Sequence, residues 1–250
     1  MVDAQIVIPA RLASTRLANK LLRQVEGRSI LQYTYEAATR SQLACSVVVA
    51  VDDAALLDEV TRFGGEAVMT SADCPSGTDR MAEVAAKSSH SVLVNVQGDE
   101  PEIAANDIDM AIRLLQEHPE ADVATLATPI RDAERLQDPN CVKVTLDANG
   151  FALYFSRSEI PFSRDRDHWG LVSREPPVCW QHVGLYAYRK EVLHWFAGTP
   201  PGNLEQIEKL EQLRLLEAGK KIVVGQTDSP SIGIDTESDL NAFAKKMRSS

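Results

Sequence analysis

Short apolar runs alternate along the first half of the chain with longer stretches whose apolar positions recur every three or four residues. QIVIPA (5–10), EAVM (66–69) and ADVATLAT (121–128) read as strands. CSVVVAV (45–51) and SVLVNVQ (91–97) are continuous apolar runs of the kind buried on both faces of a parallel sheet. Between them lie helical patterns at 29–40, with Ser29 as N-cap, at 52–63, closed by Gly64 and Gly65, and at 79–87 and 106–118. This βαβα alternation predicts an α/β three-layer sandwich with a mainly parallel sheet.

The second half changes period. Residues 141–157 alternate apolar and polar positions around Asn149-Gly150, a hairpin signal. A polar, aromatic-rich stretch (161–180) precedes a strand at 182–189, a long helix at 204–220 ended by Gly219, and a strand at 221–226. The C-terminal helix is expected at 236–247, with Thr236 as its cap. The pattern shows no internal repeat and no linker. It predicts one nucleotide-binding-type domain over 1–250, with a β-rich insertion at about 141–200.

Composition narrows the partners. The chain has 36 acidic and 26 basic residues and a net charge of −10. That balance argues against nucleic acid as a bulk electrostatic partner, yet permits a small anion met by a local basic cluster. Cys45, Cys74, Cys141 and Cys179 lie far apart without metal-site spacing, so they are expected to be reduced and mostly packed thiols. The beginning of the chain does not resemble a signal peptide, and no apolar run approaches the ~20 residues that span a bilayer. A cytoplasmic protein without membrane insertion is the expectation.

Candidate chemistry sits where strands end, the place at which open α/β sheets collect ligands. After the first strand, Arg11, Ser14, Thr15, Arg16 and Lys20 form a basic, hydroxyl-bearing stretch without an acid. It fits polyphosphate oxygens, although neither G-x-x-x-x-G-K-[ST] nor G-x-G-x-x-G is present. A solvated basic loop is the plainer alternative. After the run at 91–97, Gly98 permits close backbone approach and Asp99 and Glu100 follow. Carboxylates beside phosphate call for an intervening cation, usually Mg²⁺. Asp235 stands just before the last helix, either as helix-start chemistry or as a second metal carboxylate. CPSGTDR (74–80) suits an anion or a base edge at a helix start, or is plain loop.

Seven segments in order, IPARLASTRLANK, CPSGTDRMAEV, VNVQGDEP, LYFSRSEIPF, HVGLYAYR, LEQIEKLEQLRLLE and GIDTESDL, cover nearly the whole chain. They resemble the cytidylyltransferases that activate 3-deoxy-manno-octulosonate (Kdo) for lipopolysaccharide synthesis. The resemblance implies a nucleotide-diphospho-sugar transferase-like fold. It implies attack of the sugar's anomeric hydroxyl on the α-phosphorus of CTP, with release of pyrophosphate and assistance from Mg²⁺. It assigns Arg11, Arg16, Lys20 and Ser14 to the triphosphate, and Asp99 and Asp235 to the metal. Ser76, Gly77 and Thr78 would face the cytidine. Gln97, Arg157, His182, Glu211 and Gln212 would surround the eight-carbon keto-deoxy sugar acid. It also implies a homodimer, formed through the β-rich region about HWGLVSREPPVCW (168–180).

Without the resemblance, the acidic residues of 204–220 read as a solvated helix face, with Glu205, Glu208 and Gln212 on one side. His182 reads equally well as a structural histidine. The chain also departs from the family pattern. Ala18-Asn19 replaces a Pro-Gly pair, although Asn tolerates the left-handed turn. Cys74-Pro75 replaces His-Gln, and Gln181 replaces Arg. Loss of a cation near the sugar keeps an 8-amino-8-deoxy analogue of Kdo open as substrate. Another sugar acid, such as N-acylneuraminate, and a non-catalytic relative are the remaining alternatives.

Overall fold

The protein is described here by a computed structural model covering residues 3–14, 17–228 and 232–249. The first half runs β1 (Ala4–Ala10), a 3₁₀ turn (Lys20–Leu22), the small ribbon β2 (Gln24–Val25) and β3 (Arg28–Ser29), then α1 (Ile30–Ala38). It continues with β4 (Ser46–Val51), α2 (Ala54–Arg62), β5 (Ala67–Met69), α3 (Gly77–Lys87), β6 (Val92–Asn95), α4 (Ala105–Glu117) and β7 (Val123–Pro129). The second half holds α5 (Ala133–Gln137), β8 (Lys143–Leu146), β9 (Ala152–Ser156), α6 (His168–Val172) and β10 (Trp180–Arg189). It ends with α7 (Lys190–Ala197), α8 (Asn203–Glu208), α9 (Gln212–Glu217), β11 (Ile222–Gln226) and α10 (Glu237–Ser249).

The main sheet has the order β11-β7-β10-β6-β1-β4-β5. All neighbours pair in parallel except β10, which lies antiparallel to both β6 and β7. The expected three-layer sandwich is therefore present, with one reversed strand at its centre. Alternation along β1 distributes the core: Ile6 and Ile8 join one apolar cluster with α1, α2 and α4, while Val7 joins another with α3, α7 and α9. A smaller cluster docks α10 through Leu240 and Phe243 onto Leu17, Ile30 and Tyr33. It ties the end of the chain to the segment that follows β1.

The β-rich region is not a separate layer. β8 and β9 form the expected hairpin, with Gly150 at φ +82°, and β8 adds to the main sheet by pairing with the start of β10. Two predicted elements need correction. The run at 91–97 stays extended in the sheet only to Asn95, so Gln97 belongs to the turn beyond it. The single helix expected at 204–220 is two helices, because Lys209 takes a left-handed conformation (φ 55°, ψ 48°) between them. Glu205, Glu208 and Gln212 consequently do not form one solvated face. Glu205 is buried and grips Arg214 through two hydrogen bonds of 2.7 and 2.6 Å. Glu208 turns to Ser156 and to the backbone of Arg157.

Candidate active site

Two neighbouring cavities open beyond the carboxyl ends of β1 and β6, and they share Gly77 and Gln97 as lining residues. The first, of about 330 Å³, is walled by Arg11, Ser14, Lys20, Gly77, Gln97, Asp99 and Asp235, among others. The parallel pairing of β1 with β6 places the two strand ends side by side. Gly98 then passes close to β1: a Cβ there would lie 3.2 Å from the carbonyl oxygen of Pro9 and 3.4 Å from Leu21. The close approach anticipated at this glycine is real, and it sets Asp99 beside the basic stretch.

Lys20 is delivered by the turn that follows Asn19. Asn19 adopts φ 49°, ψ 38° and starts the 3₁₀ turn, so the left-handed geometry survives the loss of Pro-Gly. The Lys20 ammonium donates to Asp99 and, at 2.9 Å, to Asp235. Burial works against its charge, but the hydrogen bonds and charges of the two carboxylates outweigh that, and its pKa lies above the ordinary lysine value. Lys20 is therefore engaged with the acids as well as facing the cavity. Asp235 is anchored by the helix start: its backbone N–H and that of Thr236 donate to Asp239 (3.1 and 2.8 Å). Thr236 in turn accepts from the Asp239 N–H, so helix capping and presentation of a carboxylate coexist here.

Two carboxylates converging on one cationic centre suit Mg²⁺, which takes one or two protein carboxylates and completes its shell with phosphate oxygens and water. Among the described residues there is no cluster of three or more His, Cys, Asp or Glu side chains that could hold a metal by protein ligands alone. Asp99 and Asp235 are the two carboxylates that would share such an ion with phosphate oxygens.

The opposite wall comes from the start of α3. Ser76 caps it, accepting from the Asp79 N–H at 3.1 Å and donating to the Asp79 carboxylate at 2.7 Å. The helix begins at Gly77, two residues earlier than its sequence pattern predicts. Arg11 reaches across and donates to the carbonyls of Cys74 (2.9 Å) and Pro75 (3.4 Å). The Cys74 thiol donates to Glu83 at 3.0 Å, and burial together with that carboxylate pushes its pKa up to about 11. It is a packed thiol, as composition suggests.

The second cavity, of about 240 Å³, is lined by Thr78, Asn95, Gln97, Tyr186, Tyr188, Lys209, Glu211 and Gln212, among others. Thr78 donates to Glu211 at 2.7 Å, joining the α3 start to the α9 start. Burial, with the Glu211 charge nearby, raises the pKa of both tyrosines, which stay neutral phenols at physiological pH. The chamber is polar, the smaller of the two, and adjacent to the first. The left-handed Lys209 turns the chain so that Lys209, Glu211 and Gln212 all border it.

Most of the predicted residues meet here: Arg11, Ser14, Lys20, Gly77, Gln97, Asp99 and Asp235 around the first chamber, and Thr78, Glu211 and Gln212 around the second. Arg16 and Thr15 lie outside the described residues. Arg157 and His182 stand behind the walls. Arg157 donates to the carbonyls of Pro139, Glu208 and Lys209, and so braces the Lys209 turn. His182 packs against Phe155 and Tyr186. Its Nε2 lies 3.0 Å from Thr125 Oγ1, and burial pushes its pKa down to about 3. Gln181 accepts from Arg135 at 3.0 Å, so a guanidinium stands next to the position where the family arginine is replaced.

Sequence reasoning missed Asn95, Tyr186, Tyr188 and Lys209. The strand alternation of HVGLYAYR was the one available signal for the tyrosines, since 186 and 188 share a face. Asn95 is 3% exposed, and its Oδ1 is buried without a hydrogen-bond partner among the described residues. A polar residue ending an apolar strand carries no mark of that role in sequence.

A cytidylyltransferase family model matches residues 5–222. The 3-deoxy-manno-octulosonate cytidylyltransferase of Rhodopirellula baltica is 57% identical over 245 residues, covering 98% of both chains. That of Geobacter sulfurreducens is 46% identical, covering 97% of this chain and 98% of the relative. Among solved structures, CMP:2-keto-3-deoxy-manno-octonic acid synthetase complexed with CTP superposes with a TM-score of 0.91 at 38% identity, covering 99% of each chain.

Proposed function

This chain belongs to the cytidylyltransferase family, and from that premise we propose how its two joined chambers carry out the family reaction. It transfers CMP from CTP to Kdo, as its near-full-length relatives named for that sugar acid and the matching CTP complex support. The observation that carries the division of labour is the shared wall: Gly77 and Gln97 border both cavities. An α-phosphorus held in the first chamber then lies next to a sugar in the second.

In the reaction, the oxygen of the anomeric hydroxyl bonds to the α-phosphorus. The α–β phosphoanhydride bond breaks, the electron pair leaves with pyrophosphate, and the hydroxyl proton is lost to solvent. Positioning and charge neutralisation dominate the barrier in such displacements. Arg11, Arg16 and Lys20 hold the triphosphate, and Ser14 adds a hydroxyl. Asp99 and Asp235 would hold Mg²⁺, which when bound would neutralise negative charge on the phosphates. Gly77 and Ser76 present the α3 start to the cytidine. Gln97, Glu211 and Gln212 orient the sugar, with Arg157 and His182 supporting the wall behind it.

Two copies are proposed to associate through the β-rich region, where Phe162 and Trp169 are 73% and 68% exposed. These two aromatic side chains offer apolar contact surface to a second copy. The setting is the cytoplasm, where CTP is available. Sedimentation of the purified protein tests the dimer.

Pyrophosphate release tests the reaction. CTP with Mg²⁺ and Kdo is expected to turn over, with the 8-amino-8-deoxy analogue and N-acylneuraminate as comparison acceptors and UTP and ATP as comparison donors. Preference for the nine-carbon acid, or unchanged turnover in Asp99→Ala, would sink this assignment.

A further inference from the structure

Arg80 is fully buried and Asp52 is partly buried, its side chain 13% exposed, and nothing in the chemistry above uses either. Asp52 follows the last residue of β4, beside the end of β1, where Ala10 pairs with Val51. One of its carboxylate oxygens accepts from the backbone N–H of Leu12 at 3.0 Å. The other accepts from Arg80 Nη2 at 3.2 Å. Arg80 Nη1 donates to Thr70, whose hydroxyl donates to the carbonyl of Val51 at 2.9 Å. Arg11 closes the circuit from the other side through Cys74 and Pro75. The residue between Arg11 and the rest of the phosphate segment is therefore tied to the helix whose start forms the opposite wall.

A buried ion pair is weak grounds for stability, since apolar residues of similar volume often serve as well. What this pair supplies is direction. A carboxylate offers separate oxygens to the Leu12 N–H and to the guanidinium, whereas an apolar contact fixes neither. We propose that Asp52 and Arg80 are positioning residues for the reaction: they set the distance between the Arg11–Ser14 segment and the Gly77 wall, and so the fit of the triphosphate. This rests on the first chamber being the CTP site.

Asp52→Asn tests it. An asparagine that accepts from the Leu12 N–H turns its NH₂ toward the Arg80 donors, so one link is lost. Calorimetric binding of CTP with Mg²⁺ is expected to weaken about tenfold, while the KM for the sugar acid changes less than twofold. Hydrogen exchange of the peptide containing Leu12 should quicken relative to the rest of the sheet. Asp52→Glu, which keeps the charge, should recover part of the affinity. Unchanged CTP affinity in folded Asp52→Asn overturns the proposal, and so does failure of both variants to fold, which would assign the pair to stability alone. If the unaltered protein does not bind CTP, the functional reading fails instead.

Discussion

The Lys20 ammonium lies 2.9 Å from the Asp235 carboxylate, across 215 positions of sequence, and the same nitrogen donates to Asp99. A cationic side chain thus stands where two carboxylates converge, the place proposed for Mg²⁺. Lys20→Met should lower kcat/KM by about 100-fold or more, on the order of 3 kcal/mol of lost transition-state stabilisation. With no lysine between them, the two acids repel in the metal-free protein. Its thermal midpoint should fall, and millimolar Mg²⁺ should restore it more than in the unaltered enzyme. A midpoint insensitive to both changes would count against this picture.

Asn19 holds φ 49° where the family pattern has glycine. Asn19→Gly should leave stability within a few tenths of a kcal/mol and activity near normal. Asn19→Val forces a β-branched side chain into a left-handed conformation, at a cost of ~1–2 kcal/mol. Its misplacement of Lys20 should appear as a fall in kcat, read by pyrophosphate release alongside urea unfolding.

His182 is neutral in the folded protein down to about pH 3, against 6.5 for an ordinary histidine. The unfolded chain therefore binds a proton between pH 6.5 and 3 that the folded chain refuses, and stability falls as pH drops through that window. From pH 7 to pH 5 this one group should remove about 2 kcal/mol. Urea midpoints should show a shallower acid loss in His182→Gln. An identical pH slope would mean that the ring is protonated in place.

Asn95 borders the second chamber with a buried acceptor that has no partner among the described residues. Replacing it with Ala should raise the KM for Kdo about tenfold and leave that for CTP unaltered, since only the second chamber loses a polar group. Equal effects on both substrates would place Asn95 in the scaffold rather than in sugar recognition.

The local pattern of the chain determined its elements and its layers. β-branched runs such as 45–51 have no polar face to turn to water, so they had to lie inside a sheet covered by helices. Ser29 and Gly64 marked their helix boundaries through capping and positive φ, which are properties of one or two residues. The basic stretch from Arg11 to Lys20 was likewise visible as a candidate for anion binding, because its chemistry is contiguous.

Tertiary structure decided what depends on partners distant in sequence. That β10 runs against its neighbours follows from where its connections lead, and no strand records its own direction. The apolar spacing of 204–220 continues through Lys209, yet the helix breaks there. Arg157 collects the Glu208 and Lys209 carbonyls, Glu205 is drawn inward by Arg214, and Glu211 is drawn to Thr78. His182 and Arg157 have site-like chemistry but face carbonyls and rings behind the wall, while Asn95 looks ordinary and borders the chamber. Which side of a wall a side chain meets is set by packing across the whole sheet, and composition and spacing do not encode it locally.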